Sequence, residues 1–398
     1  IIVCWAMGLT QHENAVDNIR EIVNLLLLKG SIGKPGAGTC PVRGHSNVQG
    51  DRTVGIWESP KPEMLDSLRD TFGFEPPRHH GYATVDAIRA MHEGRAKVFF
   101  AMGGNFISAT PDTEYTARAL RNCRLTVQVS TKLNRSHLVH GKQALILPCL
   151  GRTDRDVQAA GEQFVSVENS MGIVHPSRGV LPPCSEQLLS EPAIVAGLAR
   201  ATLGDRSRID WKKMISNYDH IREAIEQVIP GFDDYNRRVR QPGGFYLPNG
   251  AREGKFDTPS GKAVFTRNRL SAHELEEEEY MMMTVRSHDQ FNTTIYGLDD
   301  RYRGVYNERR VVFINPRDME EAGLEDRQVV DLVSRFGGEE RVAERFLLIP
   351  YDIPRRCVAT YFPEANVLVP LDHMARKSKT PASKTVPVRI FPRTDPSL

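Results

Sequence analysis

The sequence predicts an α/β chain in which an open parallel sheet is followed by a small β-barrel. Two patterns carry this expectation. Lys97-Val-Phe-Phe-Ala-Met102, Pro111 to Asn122 and Leu125-Thr-Val-Gln-Val129 read as strand, helix and strand within about thirty residues, the βαβ unit of a parallel sheet. After Met281 the texture changes to short apolar runs at the density of a compact barrel.

Taken in order, the apolar start Ile1-Ile2-Val3-Cys4 reads as the middle of a buried strand, continuing from a preceding segment. Asn14 to Lys29 reads as a helix, because Val16, Ile19, Ile22, Val23, Leu26 and Leu27 fall at three- and four-residue spacings. Gly30 ends it, with Lys29 set for the helix dipole. The strand at 97–102 stops at Gly103-Gly104-Asn105, and a third strand, Ala144 to Leu147, stops at Pro148. Helices are expected over Glu186 to Ala201 and Ile209 to Val228. A Pro- and Gly-rich stretch, Gly231 to Gly261, then reads as a linker crossing the surface. The acidic run Glu276 to Glu279 reads as a solvated face. Barrel strands are expected at Met282–Val285, Val311–Ile314, Val329–Val333, Arg345–Ile349 and Val386–Ile390, with a small helix at Pro316–Ala322. The expected division is an α/β domain over 1–230, a linker over 231–275 and a barrel over 276–398.

Composition narrows the function classes. With 398 residues, 40% of them apolar, the chain fills more than one core. A net charge of +2 gives no basis for a nucleic-acid partner. The longest aliphatic run, Ile22 to Leu28, is broken by Asn24 and is too short for a membrane span. The six cysteines (Cys4, Cys40, Cys123, Cys149, Cys184 and Cys357) are scattered without a C-x-x-C pair, which argues against a zinc site or iron–sulfur cluster held here. They fit a reduced, cytoplasmic setting, and Cys4 and Cys40 read as buried free thiols rather than metal ligands. The absence of G-x-G-x-x-G after the first βαβ strand weighs against a nicotinamide-binding domain.

The strongest functional signal is Gly30 to Gly50, with six glycines in twenty-one residues. Bare backbone N–H groups approach an anion closely, and Arg43 adds a planar fork for carboxylate or phosphate. His45, Ser46, Asn47 and Gln49 follow. The alternative is a surface loop rich in turn formers.

That phrase, together with Trp5-Ala-Met-Gly-Leu-Thr-Gln-His12, Ala101-Met-Gly-Gly-Asn105, Thr258-Pro-Ser-Gly-Lys262 and Ser378-Lys-Thr-Pro-Ala-Ser-Lys384, resembles the molybdopterin-dependent formate dehydrogenase family over nearly the whole chain. The resemblance implies a bis-molybdopterin guanine dinucleotide centre with molybdenum, clamped by a double-psi β-barrel at the C-terminus. It also implies a small anionic substrate such as formate, and an electron-transfer partner subunit. The metal's side-chain ligand and a 4Fe-4S cluster are expected upstream of this chain, so the segment alone is expected to be inactive.

Residue by residue, the resemblance makes Arg43 the group that orients substrate, or else a partner of a cofactor phosphate. His45 stands beside it where formate dehydrogenases commonly have glutamine. Met7, Gly8, Gln11 and His12 would meet the cofactor, His12 having the alternative of an ordinary residue at a helix start. Gly103, Gly104, Asn105, Thr110 and Asp112 follow one strand end, Asp112 reading equally as a first-turn acid. Gln128, Ser130 and Lys132 follow the next. In the barrel half, Arg286, His288, Gln290, Asn366 and Lys384 match cofactor-binding positions, and Gln290 stands where histidine is usual. Tyr361 is added with the alternative of a core aromatic, and Lys262 reads equally as an exposed turn residue. Two rivals remain: reduction of another small oxyanion, and a non-catalytic relative kept as a binding module.

Overall fold

The computed structural model describes residues 1–394. Ile2–Trp5 (β1) and Gly38–Pro41 (β2) pair in parallel, with Ile2 opposite Gly38 and Trp5 opposite Pro41. Helix Ala15–Leu28 connects them, and Gly30 at φ +58° takes the left-handed turn that follows. The apolar start is therefore a strand, as expected, but it is not buried: Ile1 and Ile2 are exposed. β2 lies inside the glycine-rich stretch that was read wholly as loop.

Val98–Met102 (β3), Leu125–Ser130 (β4) and Gln143–Pro148 (β5) form the expected parallel sheet in that order. Helices Thr84–His92 and Thr113–Asn122 cover one face, packing Val85, Ile88, Met91 and Leu120 toward Phe99. Val157–Gln158 (β6) and Gly161–Glu162 (β7) make a short hairpin. Val165–Glu168 (β8), Ile173–Ser177 (β9) and Phe245–Tyr246 (β10) make an antiparallel sheet in the order β10-β9-β8.

That sheet corrects the expected linker. Phe232, Tyr235, Val239 and Phe245 pack with Val174 in a core of their own. Further on, Asn24, the polar residue on the apolar helix, accepts a hydrogen bond from the Thr266 N–H at 3.0 Å and donates to its carbonyl at 2.8 Å. The expected helix over 209–228 is two, Trp211–Ser216 and Asp219–Val228, because Asn217 turns extended and its side chain accepts from the Asp219 N–H. The expected helix at 186 begins instead at Glu191, where Ser190 caps it and a proline occupies the first turn.

Tyr280–Val285 (β11), Val311–Ile314 (β12), Val329–Phe336 (β13), Glu339–Pro350 (β14), Cys357–Tyr361 (β15) and Val386–Pro392 (β16) close into a barrel in the order β11-β15-β12-β14-β13-β16. β12 shows why its sequence is an unbroken apolar run. Val312 and Ile314 point into one core with Met282, Leu332 and Leu348, while Val311 and Phe313 point into another with Val305 and Tyr361. Helix Pro316–Glu321 follows β12 as expected. The sequence reading missed β15, a short strand between two turns.

The connection from β15 to β16 leaves the barrel and docks on the first half. Asn366 donates to the Ser108 carbonyl at 2.7 Å, and the Asp112 N–H lies within 3.0 Å of both the Asn366 and Val369 carbonyls. Arg341 pairs with the Asp112 carboxylate at 2.7 Å. Because 231–246 is packed rather than loose, Phe232→Ala is expected to cost about 3–5 kcal/mol in urea unfolding. Phe265→Ala, on an exposed ring, is expected to change stability by less than about 0.5 kcal/mol. Equal small effects would return this stretch to a linker.

Candidate functional site

Strand ends bring the first group together. The Val42 N–H donates to the Trp5 carbonyl at 2.7 Å, so the chain leaves β1 and β2 side by side. One exit carries Met7 and Gly8, and the other carries Arg43 and His45. All four are exposed. Among the described residues, the Arg43 and His45 side chains have no hydrogen-bond or ion-pair partner. Gly8 has ordinary backbone angles, and a Cβ built there would meet nothing within 4 Å. Nothing among the described residues therefore requires glycine at this position.

The barrel half supplies two cations to the same place. Arg286 Nη2 lies 3.9 Å from the Met7 sulfur, and the Gln11 amide lies 3.8 Å from it. The Gln11 carbonyl accepts from the Lys384 N–H at 3.1 Å, and its side chain accepts from the Ser383 hydroxyl at 2.9 Å. Lys384 Nζ donates to the Thr284 carbonyl. Neither cation meets a carboxylate among the described residues. Burial pushes the Lys384 ammonium down to about 8, and the nearby Arg286 charge adds to that. Burial lowers the Arg286 guanidinium as well. His12 sits beside this group with Nε2 2.8 Å from the Gly8 carbonyl. Burial lowers its pKa, the Gly8 bond opposes that, and the His273 and then the Lys384 charges add to the lowering.

A second group follows β3 and β4. Gly103 and Gly104, both at positive φ, are exposed, as is Lys132. Asn105, Thr110, Asp112 and Gln128 are buried and internally bonded. Asn105 accepts from Ser136 at 2.8 Å, Thr110 donates to the Phe106 carbonyl at 2.7 Å, and Gln128 donates to the Ser136 carbonyl at 3.1 Å. The Ser130 hydroxyl turns back onto the Lys132 carbonyl at 2.7 Å. Asp112 and Asn366 serve the docking seam. In this group only Gly103, Gly104 and Lys132 present themselves freely to solvent.

A third group is built into the barrel. Gln290 donates to the Asn292 and Phe362 carbonyls at 2.8 and 2.7 Å, and accepts from Ser287 and Arg309, which engages its whole amide. Tyr361 is fully buried, and its hydroxyl donates to Asp300 at 2.8 Å. His288 Nδ1 lies 2.9 Å from Asp300, which also pairs with Arg303 at 2.7 Å. Burial alone would raise the Asp300 carboxyl, but hydrogen bonds from Tyr361, Arg303 and His288 outweigh it and hold it at about 2.

Sequence reasoning missed the supports. Glu168, buried at the end of β8, accepts from Gln49 at 2.8 Å and from Thr53 at 2.5 Å, while its own N–H donates to Asn47 at 2.9 Å. These bonds pin the segment just after Arg43. Nothing in Val165-Ser-Val-Glu168 marks that glutamate, since a strand-end acid reads as solvated. Asp300, Arg303 and Arg309 were passed over for the same reason.

Residues 280–387 match the model of the molydopterin dinucleotide binding domain. The chain is 57% identical over 397 residues to an uncharacterized oxidoreductase of Mycobacterium bovis, covering 98% of this chain and 51% of that protein. It is 24% identical over 425 residues to formate dehydrogenase H of Escherichia coli, covering 99% of this chain and 56% of that one. Among solved structures, acetylene hydratase from Pelobacter acetylenicus shares the fold with a TM-score of 0.53 at 13% identity, over 87% of this chain and 50% of its own. The chain thus spans about half the length of the curated relatives it matches.

The Lys384 shift has a sign that can be tested. Its pKa falls from 10.5 to about 8 on folding. Between those values the unfolded chain holds a proton that the folded chain has released, so stability rises with pH there. Urea unfolding is expected to show wild type gaining on Lys384→Met as pH climbs from about 8 toward 10. Parallel pH curves for the two proteins would remove the buried ammonium from the account.

Proposed function

We propose that the chain belongs with the molybdopterin oxidoreductases and forms the substrate-facing and dinucleotide-binding part of an enzyme of the formate dehydrogenase type. The reaction we assign is two-electron oxidation of a small anionic substrate, formate or a similar carboxylate, at a bis-molybdopterin guanine dinucleotide centre with molybdenum. In this reading 1–230 is the α/β oxidoreductase domain and 276–398 a double-psi barrel. The 4Fe-4S cluster, the side-chain ligand of molybdenum and an electron-transfer partner lie outside the chain, and the setting is cytoplasmic.

One observation carries the proposal. Arg286 reaches the Met7 sulfur, the Lys384 main chain meets Gln11 while its ammonium turns to the Thr284 carbonyl, and neither cation has a counter-charge among the described residues. Two partly buried cations without a carboxylate call for an anion, and the pyrophosphate of a dinucleotide fits that demand. The open space over Gly8 lets a flat ligand lie on backbone. His12 stays on the same rim, and Gly103, Gly104 and Lys132 offer bare backbone and a further cation beyond β3 and β4. The buried Asn105, Thr110, Asp112, Gln128 and Asn366, with the half-buried Ser130, shape that wall. His288, Gln290 and Tyr361 hold the barrel loop that carries Arg286.

When bound, the molybdenum centre supplies a two-electron acceptor. The chain's own residues orient the reaction. Arg43, exposed two residues beyond β2 and without a partner among the described residues, holds the substrate carboxylate through two parallel N–H donors. Glu168, through Asn47, Gln49 and Thr53, fixes the segment from which Arg43 projects. His45, exposed two residues on, sets an imidazole beside that anion as a candidate proton donor. That feature favours a second reading, in which the substrate is another small oxyanion and a proton is delivered to it.

The deciding experiment is the metal and pterin content of the full-length protein, purified from a host that makes the guanine dinucleotide. Stoichiometric molybdenum with guanine nucleotide supports the proposal. Folded protein with neither would sink it in favour of a binding module. In the loaded protein, Arg43→Ala is expected to keep the cofactor and lose roughly 10²–10³ in turnover. Gly8→Val is expected to leave unfolding unchanged while lowering pterin content, because its side chain meets only the space assigned to the ligand.

A further inference from the structure

The parallel pairing of β1 and β2 sets Cys4 directly opposite Cys40. Residues paired in this way in a sheet project from the same face. Adjacent strands lie about 4.8 Å apart, inside the Cα separation of roughly 4.4–6.8 Å that a disulfide takes. Cys4 is exposed and Cys40 partly so, in contrast to the buried Cys123 and Cys149. The sequence had suggested two buried, inert thiols 36 positions apart, and the register makes them neighbours within reach of solvent.

We propose that Cys4 and Cys40 are a dithiol that closes reversibly to an intramolecular disulfide by exchange with a low-molecular-weight disulfide such as oxidised glutathione. The Cys4 thiolate attacks one glutathione sulfur, forming a mixed disulfide and expelling a glutathione thiolate. Cys40 then gives up its proton and attacks the Cys4 sulfur, expelling the second glutathione thiolate. Two protein thiols are oxidised by two electrons, and one glutathione disulfide is reduced to two thiols. The order follows from the pair itself. Hydrogen bonding with Cys4, then burial, raises the Cys40 pKa, so Cys40 keeps its proton while the more exposed Cys4 reacts.

The bond would tie β1 to β2 one position before the paired strand ends, Trp5 and Pro41. Met7 and Arg43 each follow two residues beyond those ends. Only this consequence for the spacing of Met7 and Arg43 rests on the proposed function; the thiol chemistry does not.

The test equilibrates the full-length protein with reduced and oxidised glutathione at graded ratios, followed by acid quench, alkylation of remaining thiols and peptide mapping. The expected product has lost the mass of two hydrogen atoms and yields one cross-linked peptide joining Cys4 to Cys40. Cys4→Ser and Cys40→Ser should each abolish it, and Cys184→Ser should not. A stable glutathione adduct on Cys4 with Cys40 still alkylatable overturns the proposal. So does a bridge to Cys184, or thiols unchanged across the whole range. The titration needs no cofactor, so its failure leaves the molybdenum reading intact, and absence of molybdenum leaves the disulfide intact.

Discussion

The seam between the two halves depends on a rule about buried polar groups: each needs a partner, or its desolvation is left uncompensated. Asp112 sits at positive φ before its helix, with its N–H turned to the Asn366 and Val369 carbonyls and its carboxylate to Arg341. Asn366 returns a hydrogen bond to Ser108. These groups are almost wholly buried, so sliding one half against the other would strand several of them at once. The seam therefore fixes how the barrel faces the strand ends of the α/β half. The position of Arg286 and Lys384 over Met7 and Gln11 follows from it.

Local pattern was legible where one period dominated. The helix over 15–28 and the strands at 98–102 and 125–130 follow their apolar spacing almost to the residue. The unbroken Val311-Val-Phe-Ile314 marked a strand buried on both faces. Local pattern failed where a short polar signal outranked periodicity. Asn217 split one expected helix, and the proline after Ser190 trimmed another. Proline and glycine around 231–246 disguised a packed aromatic cluster as a linker. Gly38–Pro41 was lost inside a glycine-rich phrase because four residues are too few to show alternation.

The candidate site divides in the same way. Arg43 and the glycine loop stood out as composition, and the positions in the barrel came from resemblance. What no reading of the sequence supplies is convergence: Gln11 beside Ser383, Met7 beside Arg286, Cys4 beside Cys40. The buried supports were silent too, since Glu168 and Asp300 look like any solvated acids until their donors are seen. Resemblance also did not separate residues open to a ligand from those consumed by the scaffold. Gly103 and Lys132 belong to the first kind, Gln290 and Tyr361 to the second.

The contact of Gln11 with Ser383 and Lys384 also has a temporal side. During synthesis at roughly 5–20 residues per second, Gln11 leaves the ribosome long before its partners, which lie 372 positions away. For something like 20–70 s the strand exits bearing Met7 and Arg43 exist without the cations that complete their surroundings. A ligand that needs both sides, as proposed for the dinucleotide, has nothing whole to enter until Lys384 is made. In the proposed reading, loading therefore waits until the barrel half has been made and docked, and a polypeptide that has produced only the first half has no means of trapping the ligand.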